Sequence, residues 1–341
     1  MRVARLLAPG RIAVEDAPDP LPGPGEVVLA VRAALTCGTD LKAYRRGHPK
    51  MPMPTPFGHE YAGVVAAVGR GVSAFREGDA VMGVHTAPCG RCRLCQRDQE
   101  NLCPQVMSRK LLGAYADRLL VPAHVVLRHL FPKPDALPFE EAAALEPLAC
   151  VAHSVGRLGL AAGDAVLVVG AGGFGLLHVA TLRALGVERV LVSGRRPARL
   201  GLARDLGAAL VLDATRDDVA TAVAEATGGR GADVVIECTG QASGWTEAIA
   251  RVRVGGTVCL FGGLPAGEPF PLDAGRLHYD ELRLVSPFHF TPADVRAARA
   301  WLSAGTVPLR PLLSGEVPLE RVGAAFERMA AGEGIKYVVR P

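Results

Sequence analysis

The chain has 341 residues, 49% of them hydrophobic, a length that fits two domains and a composition that supplies sizeable cores. Its formal net charge of +4 is spread without a basic run or interleaved aromatics, so nucleic acid is not an expected partner. No apolar run reaches membrane-spanning length, and residues 1–18 lack the continuous apolar stretch and cleavage site of a signal peptide, so neither membrane nor export is expected and a cytoplasmic location is.

Up to about residue 145 the sequence is a series of short apolar runs broken by Gly and Pro. Residues 27–31, 61–68 and 80–84 read as strands between turns at Pro22-Gly23-Pro24-Gly25, at 69–71 and at Gly78-Asp79, the pattern of a compact β domain. From about Phe139 the pattern changes, and 140–145 and 150–158 are helical by composition. A strand–helix alternation follows. A strand at 165–169 leads into a helix to about Leu185, and a strand at 190–193 into a helix to about Leu206. Strands at 210–212, 233–237 and 257–261 continue the series, which predicts an α/β fold with a parallel sheet covered on both faces. After a strand at 282–286, helices are expected near 292–302 and 319–331, and a last strand at 336–340.

Four of the eight cysteines fall on one loop, at Cys89, Cys92, Cys95 and Cys103. Four thiolates at this spacing can close a tetrahedral shell around zinc with no position left for substrate, which makes a structural site. A disulfide pair or free thiols is the alternative. Metal-spaced cysteines in a chain without a signal fit a reducing cytoplasm.

Gly170-Ala171-Gly172-Gly173-Phe174-Gly175 fits G-x-G-x-x-G directly after the strand at 165–169 and at the start of a helix, the context that gives this motif its meaning. The glycines allow a tight turn and bring a pyrophosphate to the helix N-terminus. A glycine-rich turn without a ligand is the plain alternative. An NAD site usually ends its second strand on Asp or Glu. Here the segment is Val192-Ser193-Gly194-Arg195-Arg196, with no carboxylate. The glycine leaves room, Ser193 offers a hydroxyl, and Arg195 and Arg196 can grip a 2′-phosphate, so NADP is expected rather than NAD. Otherwise these arginines are solvated charges at a helix start.

The chemically rich residues outside the loop are Cys37 in Thr36-Cys37-Gly38-Thr39-Asp40, His59 and Glu60 after Gly58, and Glu146 before Pro147. One thiolate, one imidazole and one or two carboxylates suit zinc with an open position. Singly each is ordinary, since a lone Cys is most often a small core residue.

Taken with the four-cysteine loop and the glycine fingerprint, Cys37-Gly38-Thr39-Asp40, Gly58-His59-Glu60 and Glu146-Pro147-Leu148-Ala149 resemble the zinc-dependent medium-chain dehydrogenases, the alcohol, sorbitol and threonine dehydrogenase superfamily. The resemblance covers essentially the whole chain. It implies a GroES-like β-rich catalytic domain over 1–150, completed by 288–341, and a Rossmann domain, a doubly wound parallel sheet, over 151–287. The cleft between them would hold zinc and nicotinamide. It implies Cys37, His59 and Glu146 as zinc ligands and Glu60 as an exchangeable fourth. Thr39 would pass the substrate proton outward, and Asp40 would orient a ligand. Cys238-Thr239-Gly240 and residues 286–290 would line the nicotinamide side, and Lys336 would reach the pyrophosphate. Two zincs per chain and a homodimer or homotetramer paired through the strand at 282–286 are also implied.

The activity so implied is hydride transfer between a secondary alcohol or polyol and NADP, reversible as carbonyl reduction. A Glu at 146, where alcohol dehydrogenases carry Cys, points to the polyol and threonine branch. L-Threonine 3-dehydrogenase or a diol dehydrogenase is the alternative within the class, and a non-catalytic nucleotide-binding protein the alternative outside it. Two positions depart from the family. Lys42 stands where many relatives place a relay His, and reads equally as a surface charge. Thr86 stands where threonine dehydrogenases carry a His, with His85 one residue off, which counts against threonine. Tyr44 either borders the substrate or packs.

Overall fold

Strands dominate residues 1–132 because β-branched and small residues alternate between Gly and Pro turns there. The structure is a computed structural model that describes residues 1–49 and 51–341. The chain divides into two units, Met1–Cys150 with Phe290–Pro341, and Val151–His289.

In the first unit, the strand Val27–Leu35 is the centre of a seven-stranded sheet. On one side it pairs antiparallel with Glu60–Val68, and beyond that lie Ala80–Gly83 and Leu130–Pro132. On the other side it pairs with Lys336–Arg340, which runs parallel to Leu313–Pro318. Arg118–Val121 also pairs with Val27–Leu35. The register sets Leu35 opposite both Glu60 and Val338. That one alignment brings the residues after Leu35, the start of the Glu60 strand and the start of the last strand to the same place. A small second sheet holds Arg11–Asp16, Arg2–Ala8 and Thr55–Pro56. The core packs Leu29, Phe57, Tyr61, Tyr115 and Phe326, with Phe57 and Phe326 rings 5.3 Å apart. Each such side chain contributes about 1.5–3 kcal/mol by leaving water.

A helix at Gly38–Arg46 is absent from the pattern reading, since its sequence is mostly polar. Local chemistry builds it. Cys37 is the N-cap and accepts from the Thr39 N–H at 3.4 Å, Asp40 sits in the first turn, Arg45 and Arg46 in the last, and Gly47 ends it. The helical stretches expected at 140–145 and 150–158 are a short helix Phe139–Ala142 and a second helix, Leu145–Val155, which starts earlier and ends sooner than expected. Pro147 lies in the first turn of the second, where its missing N–H costs nothing.

The second unit is a six-stranded sheet of parallel strands. Ala165–Val169, Arg189–Gly194, Leu210–Asp213, Ala232–Glu237, Val252–Leu260 and Arg283–Val285 lie in the spatial order third, second, first, fourth, fifth, sixth. This is the doubly wound Rossmann order, whose crevice opens where the direction reverses, beside the first strand. All five residues of Ala165–Val169 are buried, as expected of a strand covered on both faces. The fifth strand begins five residues earlier than its apolar run, because Gly255 and Gly256 lie inside it.

Candidate active site

The register described above assembles a buried polar cluster in the first unit. The Cys37 sulfur, a His59 ring nitrogen and a Glu60 carboxylate oxygen lie within 4.8 Å of one another, and all three residues are buried. Gly58 sets up His59. Its φ is +90°, and an added Cβ would stand 2.9 Å from the Tyr115 ring. His59 Nδ1 lies 3.1 Å from Asp40 Oδ1, and the Tyr115 hydroxyl donates to Asp40 Oδ2 at 2.8 Å. A carboxylate facing Nδ1 fixes the proton there and leaves Nε2 as the lone-pair donor for a metal. Burial alone would lower the His59 pKa, but the charge and hydrogen bond of Asp40, then those of Cys37, hold it well above its ordinary value.

Glu146 stands outside that trio. It is buried at the start of Leu145–Val155, with Oε1 3.5 Å from His85 Nδ1. Burial pushes its carboxyl up to about 7, while His59 pulls the other way. A dication would relieve exactly that penalty, so the thiol, imidazole and carboxylates fit zinc as a donor set. Thr39 is half-buried two residues beyond Cys37.

Lys336 differs from its expected role. Its ammonium is engaged within the first unit. It donates to both Glu60 oxygens at 2.6 Å and to the Thr36 carbonyl at 3.0 Å. Burial would lower its pKa, but the Glu60 charge overrides this and holds it above the ordinary lysine value. Removing one member of such a buried pair costs about 3–5 kcal/mol. Lys42 is exposed, as a surface charge would be, and Tyr44 stacks on Phe326 at 5.7 Å, as a packing residue would.

The second cluster is the cysteine loop. The sulfurs of Cys89, Cys92, Cys95 and Cys103 lie within 4.8 Å of one another, and none is in a disulfide. Cys92 and Cys95 sulfurs are 3.5 Å apart, and Cys89 and Cys95 sulfurs 3.9 Å. Tetrahedral zinc with bonds of about 2.3 Å needs sulfurs about 3.8 Å apart, so the loop fits the ion. The Arg91 and Cys92 backbone N–H groups hold the Cys89 thiol at about 6, while burial pushes Cys95 up to about 12.

In the second unit a cavity of about 650 Å³ is lined by Gly170, Gly172, Ser193, Gly194, Arg195 and Arg196, and also by Cys238 and Thr239. Gly172 is the N-cap of the helix Gly173–Ala184, and a Cβ at Gly175 would collide with the Gly170 carbonyl oxygen. The third glycine therefore sets how closely helix and strand pack. Phe174 serves packing too, its ring 4.9 Å from that of Phe261. Gly194 is filled rather than roomy, for a Cβ there would meet Ala171 and Leu200 at 3.0 Å. The loop after Ala232–Glu237 is pinned by the buried Glu237 carboxylate, which accepts from the Thr239 N–H at 2.6 Å and from the Thr239 hydroxyl.

Two residues that matter here, Arg199 and Tyr115, carry no expectation from the sequence, and a third, His85, was noted only as lying one residue off a family position. Arg199 also lines the cavity, and its spacing of three from Arg196 on one helix was the available signal. His85 is buried with its ring 4.9 Å from that of His59. Tyr115 touches Asp40 across 75 residues, and nothing local marks it.

The sequence matches two families, one described as the alcohol dehydrogenase GroES-like domain over residues 23–135 and one as zinc-binding dehydrogenase over residues 173–304. It is 31% identical to a sorbitol dehydrogenase of Bacillus subtilis (strain 168), over 100% of this chain and 97% of that protein. It is 32% identical to an L-threonine 3-dehydrogenase of Symbiobacterium thermophilum, over 100% and 98%. The structure superposes with TM-score 0.91 on a zinc-binding dehydrogenase of Sinorhizobium meliloti 1021 bound to NADP, at 32% identity over 100% of this chain and 99% of that one. The chain belongs to the zinc-dependent medium-chain dehydrogenases, with a GroES-like and a Rossmann part, and is an oxidoreductase.

Proposed function

We propose that the protein oxidises a secondary alcohol or polyol, and reduces the matching carbonyl compound, with NADP as its nicotinamide partner. The observation that carries this reading is the gathering of Cys37, His59 and Glu60 in one buried cluster, with Glu146 nearby. Cys37, His59 and Glu146 would hold the catalytic zinc, with Glu60 as the exchangeable ligand, and the four-cysteine loop would hold a second zinc. When bound, the metal polarises the substrate oxygen and the nicotinamide exchanges hydride with the carbon. The chain's own part is positional. Asp40 fixes the His59 tautomer, and burial of the cluster excludes water. The Thr39 hydroxyl would accept the proton from the substrate oxygen while passing on its own, as a relay. From there the proton leaves through water or ribose, because Lys42 is solvated.

Arg195 and Arg196 would hold the 2′-phosphate, with Cys238 and Thr239 on the cavity wall and the glycine turn under the pyrophosphate. The units would act as domains, and Arg283–Val285, with one unpaired edge, would pair between copies in a homodimer or homotetramer. Among the described residues no helix is long and apolar enough to cross a membrane. Eight unpaired cysteines support a reducing, cytoplasmic setting.

A second reading, oxidation of L-threonine or a diol, gains from His85, which lies at the cluster and gives a polar substrate group a partner. A steady-state screen of NADP and NAD against polyols, diols and L-threonine separates these. Replacing Arg195 and Arg196 together by Leu removes charge-assisted bonds of about 1.5–3 kcal/mol each, so NADP preference should fall by at least about 100-fold. An unchanged preference sinks the NADP assignment. One zinc per chain, unaffected by Cys37→Ser, would favour a non-catalytic nucleotide-binding protein.

A further inference from the structure

We propose that Lys336 restrains Glu60 so that the carboxylate visits the metal position only transiently and leaves it open to substrate. The inference rests on reading Cys37, His59 and Glu60 as a zinc site. Glu60 is shared between two claims. One oxygen lies within 4.8 Å of the Cys37 sulfur and a His59 nitrogen, while both oxygens accept from the Lys336 ammonium at 2.6 Å. An ammonium has three N–H donors. Lys336 directs two at Glu60 and one at the Thr36 carbonyl, at 3.0 Å, so none is left for another partner.

The position of Lys336 is fixed from both sides. The Thr36 N–H donates to the Tyr337 carbonyl at 3.0 Å, and the Tyr337 N–H donates to the Thr36 hydroxyl at 2.8 Å. The residue that holds Glu60 is thus bolted to the segment that carries Cys37. The other charges of the cluster are committed elsewhere, since Asp40 faces His59 and Tyr115. Without the ammonium, Glu60 is a buried anion whose best remaining partner is a dication. It would then occupy the fourth position and compete with the alcohol. Lys336 is a positioning residue in this scheme and touches no reacting atom.

Cobalt in place of zinc in the full-length enzyme tests this, because its d–d bands report the fourth ligand without turnover. Lys336→Met should shift the bands of the substrate-free protein and raise the KM for alcohol by about tenfold, with kcat changed by less than about threefold. Adding Glu60→Gln to Lys336→Met should return the bands to the wild-type position, because the competing carboxylate is gone, and Lys336→Arg should keep both bands and KM. Lys336→Gln, which retains a donor without the charge, stands in if Lys336→Met fails to fold, and should show the same shift. Bands unmoved in whichever of these folds, or a shift that Glu60→Gln leaves in place, overturn the inference, as a purely structural tie would predict. Wild-type protein that takes up only one metal per chain, with none lost on Cys37→Ser, overturns the site reading itself.

Discussion

The two candidate metal clusters of the first unit, the cysteine loop and the buried Cys37, His59 and Glu60, are built on opposite plans. The cysteine loop takes every ligand from residues 89–103, holds them in short turns, and has a core of its own of little more than Cys95, Cys103 and Val106. The buried cluster draws on positions 37, 59 and 60 with Glu146 nearby, and three of these four residues are braced by one from elsewhere, His59 by Asp40 and Tyr115, Glu60 by Lys336, Glu146 by His85. A closed local shell needs only its metal. A site that must keep a position open needs its ligands held apart by the protein. With metal bound, the first would be a staple for one loop, while the second depends on the sheet.

Substitutions can break this contrast, and their expected effects on turnover descend in order. Cys37→Ser should lower kcat/KM by at least about 10³-fold, the scale on which losing transition-state stabilisation is felt. Circular dichroism should show a folded chain, with one zinc left by metal analysis. Normal turnover in that variant would remove Cys37 from the chemistry. Tyr115→Phe deletes only the hydroxyl behind Asp40, and should weaken metal at the buried cluster by about 10- to 100-fold. Competition with a chelator measures it, and the loop metal should not respond. Equal weakening at both clusters would mean a general loss of stability. Cys95→Ser should leave kcat/KM within about twofold and lower the melting temperature by a few degrees, since about 1 kcal/mol moves a domain of about 150–250 residues by roughly 2–4 °C. Lost activity at unchanged melting would refute the division of labour between the clusters.

The same contrast governs what could be read in the sequence. The cysteine loop and the glycine turn were legible because their ligands are neighbours at fixed spacing. The parallel sheet was legible because buried strands such as Ala165–Val169 are apolar throughout. The helix Gly38–Arg46 was not, because its stability comes from its caps and end charges rather than an apolar stripe. Cys37, His59, Glu60 and Glu146 could be picked out by type and by family likeness. Their bracing could not, because Tyr115 and Lys336 reach the site through strand register and packing, which no local pattern records. The resemblance implied a pyrophosphate for Lys336, while the carboxylate it does face, Glu60, is brought to it by the pairing of both strands with Val27–Leu35, which no local pattern records.

The last strand also sets a schedule. Lys336–Arg340 lies between Val27–Leu35 and Leu313–Pro318, and carries the ammonium that Glu60 faces. Chains are made from the N-terminus and fold as segments emerge. The cysteine loop and the whole sheet of the second unit can take shape on the ribosome, while the central strand of the first unit still lacks one neighbour. The buried cluster therefore lacks the partner of Glu60 until the last strand has been made and has docked beside Val27–Leu35, so the first unit is completed by the final residues of the chain rather than by its opening ones.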